Sequence, residues 1–173
     1  MIFEFGCGDG LDAQYFSNLG FTVFACDSSH SAIAAARAVH AGPIFSKVDV
    51  GDGAQVKSFL ESAPRPPRES ARVYFGRFFL HSISEDDQNL LLREIENNSS
   101  RGDLLCLEFR TIEDRKLSKV FPDHFRRYID YDRFLEQITK RAFKRVLLSE
   151  KGRGLSPYKS EDPFVGRVIV QRE

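Results

Sequence analysis

Near the N-terminus, Glu4-Phe5-Gly6-Cys7-Gly8-Asp9-Gly10 sets three glycines at alternate positions between an apolar run and a helical one. A turn without Cβ atoms can take positive φ and press against a ligand, and the helix behind it offers free N–H groups. Two acids stand at comparable points downstream: Asp27 after FTVFAC, and Asp49 near the end of Pro43–Val50. A carboxylate at the first could accept two hydrogen bonds from ribose hydroxyls. One at the second could reach an adenine amino group. Singly, each aspartate also reads as a helix or turn cap. As three strand ends in a row, they point to a nucleoside site at the carboxyl edge of a parallel sheet.

Groups suited to a second substrate come later. His81 follows the run VYFGRFFL. A neutral imidazole with an ordinary pKa of about 6.5 suits a general base toward a hydroxyl. Its plainer reading is a histidine that hydrogen-bonds locally. Beyond Glu108-Phe-Arg110 lies PDHFRRYIDYDRF, with His124, Arg126, Arg127 and Tyr128. These arginines could face a carboxylate or phosphate with their guanidinium donors. Alternatively they pair with Glu113, Asp114, Asp123, Asp130 and Asp132 as a solvated loop.

The elements that must position these groups alternate along the chain. Strands are expected at Ile2–Phe5, Phe21–Cys26, Pro43–Val50, Val73–Gly76 and Asp103–Phe109, where apolar and β-branched residues cluster. Helices are expected at Asp12–Leu19, closed by Gly20, and at Ser31–Val39, capped by Ser29. Others follow at Ala54–Ser62, at Glu85–Asn97 behind Ser84, and at Asp130–Ala142, which carries Phe134, Leu135, Ile138 and Ala142 on one face. APRPPRESAR cannot be regular structure. Phe143–Ser149 and Phe164–Gln171 end the chain as two strands joined by a loop alone, so they must pair antiparallel. The expected fold class is α/β: one domain over 1–173, built on a doubly wound, mostly parallel seven-stranded sheet with one reversed strand near the C-terminus.

Composition excludes several classes. The 173 residues suffice for one domain with a substantial core, and 42% hydrophobic with 29% charged residues is ordinary globular composition. There is no apolar stretch of transmembrane length and no secretory signal pattern at the N-terminus. Cys7, Cys26 and Cys106 are odd in number and lack metal-like spacing, so reduced thiols, a cytoplasmic location and no metal are expected. Twenty-five basic residues balance 25 acidic ones, yet residues 110–153 hold 13 basic and seven acidic, a net of +6. That stretch is either a solvated helix face with its loops or a cradle for an anionic substrate. Its basic residues are interleaved with acids, which disfavours a broad nucleic-acid surface.

Two cofactors fit a nucleoside site of this kind. The dinucleotide fingerprint G-x-G-x-x-G fails from Gly6, because Leu11 stands at its last position. It can be forced through Gly8, Gly10 and Ala13, which leaves Gly6 without a role. The pattern E/D-x-G-x-G-x-G fits Glu4, Gly6, Gly8 and Gly10 directly. Here the chain resembles the class I S-adenosylmethionine-dependent methyltransferases over nearly its whole length. The resemblance rests on EFGCGDG, Asp27, Asp49, the helix opening SEDDQ and the closing antiparallel pair. It implies S-adenosylmethionine held by Glu4, Gly6, Cys7, Gly8 and Gly10, by Asp27 with Ser28, by Asp49 with Val50, and by Gly76 and Arg77. His124, Arg126, Arg127 and Tyr128 resemble the H-x-R-R-Y element of small-molecule and glycan methyltransferases, and the tail resembles that of enzymes acting on surface polysaccharides. The Asn/Asp-Pro-Pro-aromatic and Pro-Cys motifs of amino- and cytosine-methylating enzymes are absent. The resemblance therefore implies O-methylation of an anionic sugar, polysaccharide or small metabolite. His81 and His124 are then the catalytic candidates, and Arg77, Arg110, Arg126, Arg127 and Tyr128 the substrate contacts. A nicotinamide-dependent oxidoreductase, an RNA methyltransferase and a non-catalytic cofactor- or partner-binding domain are the alternatives. The family's helix ahead of the first strand is missing, so a longer polypeptide, a second copy of the chain or an N-terminal partner domain is expected to supply that cover.

Overall fold

The computed structural model describes residues 1–65, 70–120 and 123–173. Part of APRPPRESAR and the opening of PDHFRRYIDYDRF lie outside the described residues. Seven strands form one sheet in the order β3-β2-β1-β4-β5-β7-β6. They are β1 Ile2–Phe5, β2 Val23–Asp27, β3 Ile44–Lys47, β4 Val73–Arg77, β5 Leu104–Arg110, β6 Arg145–Gly152 and β7 Val165–Gln171. Pairing is parallel from β3 to β5, and β7 runs antiparallel to both β5 and β6. Chain order reverses between β1 and β4, so the carboxyl ends of those strands open a crevice, as at any switch point of a doubly wound sheet. Among the described residues five α-helices flank the sheet: α1 Leu11–Asn18, α2 His30–Val39, α3 Gly53–Glu61, α4 Glu85–Asn98 and α5 Tyr131–Thr139.

Alternation along the strands divides the core in two. Phe3, Phe5, Tyr74, Leu105, Phe109, Val168 and Val170 face α3, α4 and α5, meeting Phe59, Leu60, Leu91, Ile95, Phe134 and Ile138. Ile2, Val23 and Ala25 face α1 and α2, with Ala13, Ile33 and Ala36. On this second face, register places Glu4, Phe75, Cys106, Ile169 and Leu148 in one row across neighbouring strands. Phe75 meets Phe16 of α1 edge-on at 5.0 Å, and beyond it the row is only partly covered.

Helix starts follow the sequence closely because side chains cap them. Ser29 accepts from Ala32 N–H, Asp52 from Ala54 and Gln55, Ser84 from Asp87, and Asp130 from Arg133. The larger departures lie late in the chain. The last helix ends at Thr139 rather than Ala142, and β6 runs from Arg145 to Gly152 instead of beginning at Phe143. Phe143 is buried in the helix-side core, so its apolar character reports packing rather than a strand. β3 stops at Lys47, where Val48 N–H turns to the carbonyl of Asp27.

Candidate active site

The glycine turn is left-handed three times over, with φ of 70° at Gly6, 53° at Gly8 and 81° at Gly10. Gly6 and Cys7 N–H both donate to the Cys26 carbonyl, at 2.8 and 3.0 Å, which ties the turn to β2. A Cβ on Gly6 would collide with the Phe79 ring. Asp27 then joins two turns: Oδ2 accepts from Gly8 N–H at 3.0 Å, and Oδ1 from Ser29 N–H at 2.8 Å. It is thus a turn cap and a wall of the cleft at once. Asp49 Oδ1 accepts from Gly51 N–H at 2.9 Å.

These groups enclose a cleft of about 200 Å³ at the carboxyl ends of the first strands. Gly6, Asp27, Ser28, Asp49 and Val50 line it, together with Phe78, Phe79, Ser82, Ile83 and Asp87. Phe79, Ile83 and Asp87 escaped the sequence reading, although SEDDQ marked the helix that delivers Asp87. Glu4, Cys7, Gly8, Gly10, Gly76 and Arg77 do not line the cleft. Glu4 is buried at the base of the turn with Oε2 unpartnered. Burial, reinforced by Asp12, pushes its carboxyl up to about 8. Burial likewise raises the Cys7 thiol to about 12 and Cys106 to about 11, so neither is a ready nucleophile. Gly76 sits within the sheet, where a Cβ would lie 3.3 Å from Leu107. Arg77 reaches across to Asp12 and grips it through Nε at 2.6 Å and Nη2 at 3.1 Å.

A second cavity of about 300 Å³ opens beside the first. Arg77, Phe78, Arg110 and Arg126 form one part of it, and Ser156, Pro157, Tyr158 and Glu161 of the β6–β7 loop another. Phe78 lines both cavities. Arg110 is fixed by Asp114, at 2.8 Å, and by Glu161. Glu161 also accepts from the backbone N–H of Val120, so one carboxylate pins two loops around the cavity.

Four expected site residues line neither of these two cavities. His81 is buried, its Nδ1 accepts the backbone N–H of Arg110 at 3.3 Å, and it lines neither cavity. Burial, with Arg110 and Arg126 adding to it, pushes its imidazole down to about 3, which makes it a poor proton acceptor. Arg127 turns inward: Nη2 donates to Gln88 Oε1 at 2.6 Å and Nε to the Ile83 carbonyl at 3.1 Å, bracing the turn after β4. Tyr128 lies against Arg115 and Lys119, each 5.6 Å from its ring, outside the arginine cavity. His124 is exposed on its loop and lines neither cavity. Part of the +6 excess is met by acids outside the stretch: Arg110 pairs with Glu161, Arg141 with Glu96 and Arg153 with Asp162.

The His81 environment predicts a pH signature. Its folded pKa lies below its unfolded value of 6.5, so its contribution to stability is complete above pH 6.5 and is lost as pH falls toward 3. Glu4 acts oppositely: its folded pKa of about 8 exceeds 4.5, so protonation favours the fold as pH falls from 8. Wild-type stability should rise from pH 8 to 6.5 and level off below it. In His81→Asn the rise should continue, and the gap between the two proteins should shrink by about 2 kcal/mol from pH 6.5 to 5. Urea melts at three pH values check this, and a constant gap would refute the assignment of a neutral buried imidazole.

Comparison with known proteins agrees with this architecture. A family model described as a methyltransferase domain matches residues 3–106. No curated protein matches the chain. Among solved structures, a SAM-dependent methyltransferase from Anabaena variabilis ATCC 29413 superposes with a TM-score of 0.77 at 16% identity, covering 99% of this chain and 76% of that one. One from Methanosarcina mazei gives 0.72 at 14%, covering 99% and 91%. The glycopeptide N-methyltransferase MtfA, complexed with S-adenosyl-L-homocysteine, gives 0.66 at 14%, covering 99% and 82%. A glycine turn, an acid at each of the next two strand ends, the strand order and a family match over more than half the length converge: the chain belongs to the methyltransferase-domain family and is of the class I S-adenosylmethionine-dependent type.

Proposed function

We propose that the chain transfers a methyl group from S-adenosylmethionine to a hydroxyl of an anionic acceptor: a sugar, a unit of a surface polysaccharide or a small metabolite. The observation that carries the acceptor half is the cavity in which Arg77, Arg110 and Arg126 meet beside the cleft, with Phe78 in both walls. The cleft also fits the cofactor. Asp27 uses one lone pair of each oxygen on the backbone and keeps others for ribose hydroxyls. Asp49 and Val50 stand where an adenine edge would lie. Glu4 lies buried under the turn with Oε2 unpartnered, a carboxyl that burial keeps protonated and that a bound methionyl ammonium would ionise and pair with. When bound, the cofactor supplies an electrophilic methyl on a sulfonium.

The chain's own residues then act by placement. Arg77 and Arg110 are each locked by carboxylates, so their remaining N–H donors are presented without much loss of side-chain freedom. Ser156 donates to Glu108 at 2.7 Å and offers its oxygen to an acceptor hydroxyl. An in-line displacement from a sulfonium gains most from alignment, which suits a site whose nearest histidine is a weak base. No helix among the described residues is long and apolar enough to cross a membrane. We place the enzyme in the cytoplasm, a reading supported by its three free cysteines. We read residues 1–173 as one domain whose partly covered sheet face accepts a preceding segment, a second copy or a partner domain.

Turnover on a panel of uronic acids, sugar phosphates, neutral sugars, amines and structured RNA tests the acceptor. Anionic hydroxyl compounds should be preferred. Arg126→Ala should raise their KM about 10- to 100-fold, the worth of one charge-assisted hydrogen bond, and leave neutral compounds unchanged. Preference for a neutral acceptor, an amine or RNA would overturn the assignment.

A further inference from the structure

Phe78 is a bulky residue in the left-handed region, with φ of 53°. Non-glycine residues adopt that conformation at a cost, and phenylalanine has no polar side chain to offset it locally. Burial does not explain it either, because Phe78 is only partly buried, whereas its neighbours Phe79 and Leu80 are core residues. The surroundings nonetheless hold it firmly. Its N–H donates to the Glu108 carbonyl at 2.9 Å. Its ring lies 5.9 Å from the Arg77 guanidinium carbon and 5.5 Å from that of Arg110, and meets the edge of His81 at 5.8 Å. It is the residue common to both cavities. Backbone strain kept at a junction of two sites, in a residue that its neighbours hold but do not fully bury, is the pattern of a functional constraint.

We infer that Phe78 is the positioning residue of the transfer: its ring forms the shared wall between cofactor cleft and acceptor cavity and stands beside the methyl group to be moved. This rests on the methyltransferase reading. It also gives the buried His81 a task, since an imidazole held by the Arg110 backbone braces the ring edge. A relaxed backbone at residue 78 would let the ring swing out of one wall and leave the two cavities open to each other.

The test uses S-adenosylmethionine labelled with carbon-13 at its methyl and bound to the full chain. In the wild type, the bound methyl resonance should be displaced from its free position by the ring current of Phe78. Phe78→Gly, which adopts φ of 53° without strain, should lose more than half of that displacement. Each variant is compared with the cofactor added to saturation, and the Tm of Phe78→Gly should exceed that of Phe78→Ala. Phe78→Leu, which keeps bulk without a ring, should lose the displacement as well. An unchanged methyl shift in both variants would overturn the inference while leaving cofactor binding standing. Absence of any bound methyl signal from the wild type would sink the cofactor reading and this inference with it.

Discussion

Arg110→Ala is expected to destabilise the fold by about 3–5 kcal/mol, because it strips the partner from buried carboxylates. Asp114 has no exposed surface and Glu161 little, and both point at the same guanidinium. Asp114 also accepts from Phe164 N–H at 2.9 Å, so it cannot swing out to water without breaking the start of β7. Lys119, 3.1 Å from Asp114, would compensate in part and hold the loss toward the lower end. The triple replacement Arg110→Met, Asp114→Asn and Glu161→Gln should cost less than the single change, since neither buried carboxylate is then charged and Lys119, which loses its ion partner, keeps the Asp114 and Leu117 carbonyls. Burial raises both carboxylates, but Arg110, with Phe164 N–H and Lys119 at Asp114 and Val120 N–H at Glu161, holds them below their ordinary pKa values of 3.8 and 4.5. Their contribution is therefore present above those values and is lost as pH falls through the folded ones. Urea denaturation of the three proteins measures the effect. A single mutant as stable as the wild type would show that Arg110 serves only the cavity.

Gly6→Ala is expected to abolish cofactor binding, with a loss of affinity of about 100-fold or more, the scale of roughly 3 kcal/mol of overlap and strain. Two costs coincide at this position. Alanine resists φ of 70°, and its methyl would occupy space that the Phe79 ring fills. Phe79 lines the cleft, so displacing its ring narrows the space the nucleoside needs. Gly8 is the control. Its φ is 53°, but a Cβ there meets nothing within 4 Å, so Gly8→Ala should pay only the backbone strain of about 1–2 kcal/mol. Titration with S-adenosylhomocysteine compares the two. Equal losses would mean that backbone conformation alone matters and that the Gly6–Phe79 contact does not.

Local chemistry was legible in the sequence; distant packing was not. The glycine turn, Asp27 and Asp49 could be read because strand, turn and helix are neighbours in the chain, and their residue types follow from backbone geometry a few positions away. Capping serines and aspartates marked the helix starts for the same reason. The surroundings of His81 and Arg127 were not legible because they depend on Arg110, 29 residues after His81, and on Gln88, 39 residues before Arg127. A histidine destined for burial carries no local mark. The β6–β7 loop was the other blind spot. Ser156, Tyr158 and Glu161 are ordinary loop residues until Glu161 meets Arg110, 51 positions away. Phe78 reads as one of 16 phenylalanines, and only its backbone angle sets it apart.

The central claim is that the cleft of Gly6, Asp27 and Asp49 takes S-adenosylmethionine. Calorimetric titration of the wild-type chain with S-adenosylhomocysteine, and in parallel with NAD, tests it most directly. One saturable site for S-adenosylhomocysteine, weakened by Gly6→Ala, and no heat from NAD is the predicted result. Saturable binding of NAD with none of S-adenosylhomocysteine would contradict the account.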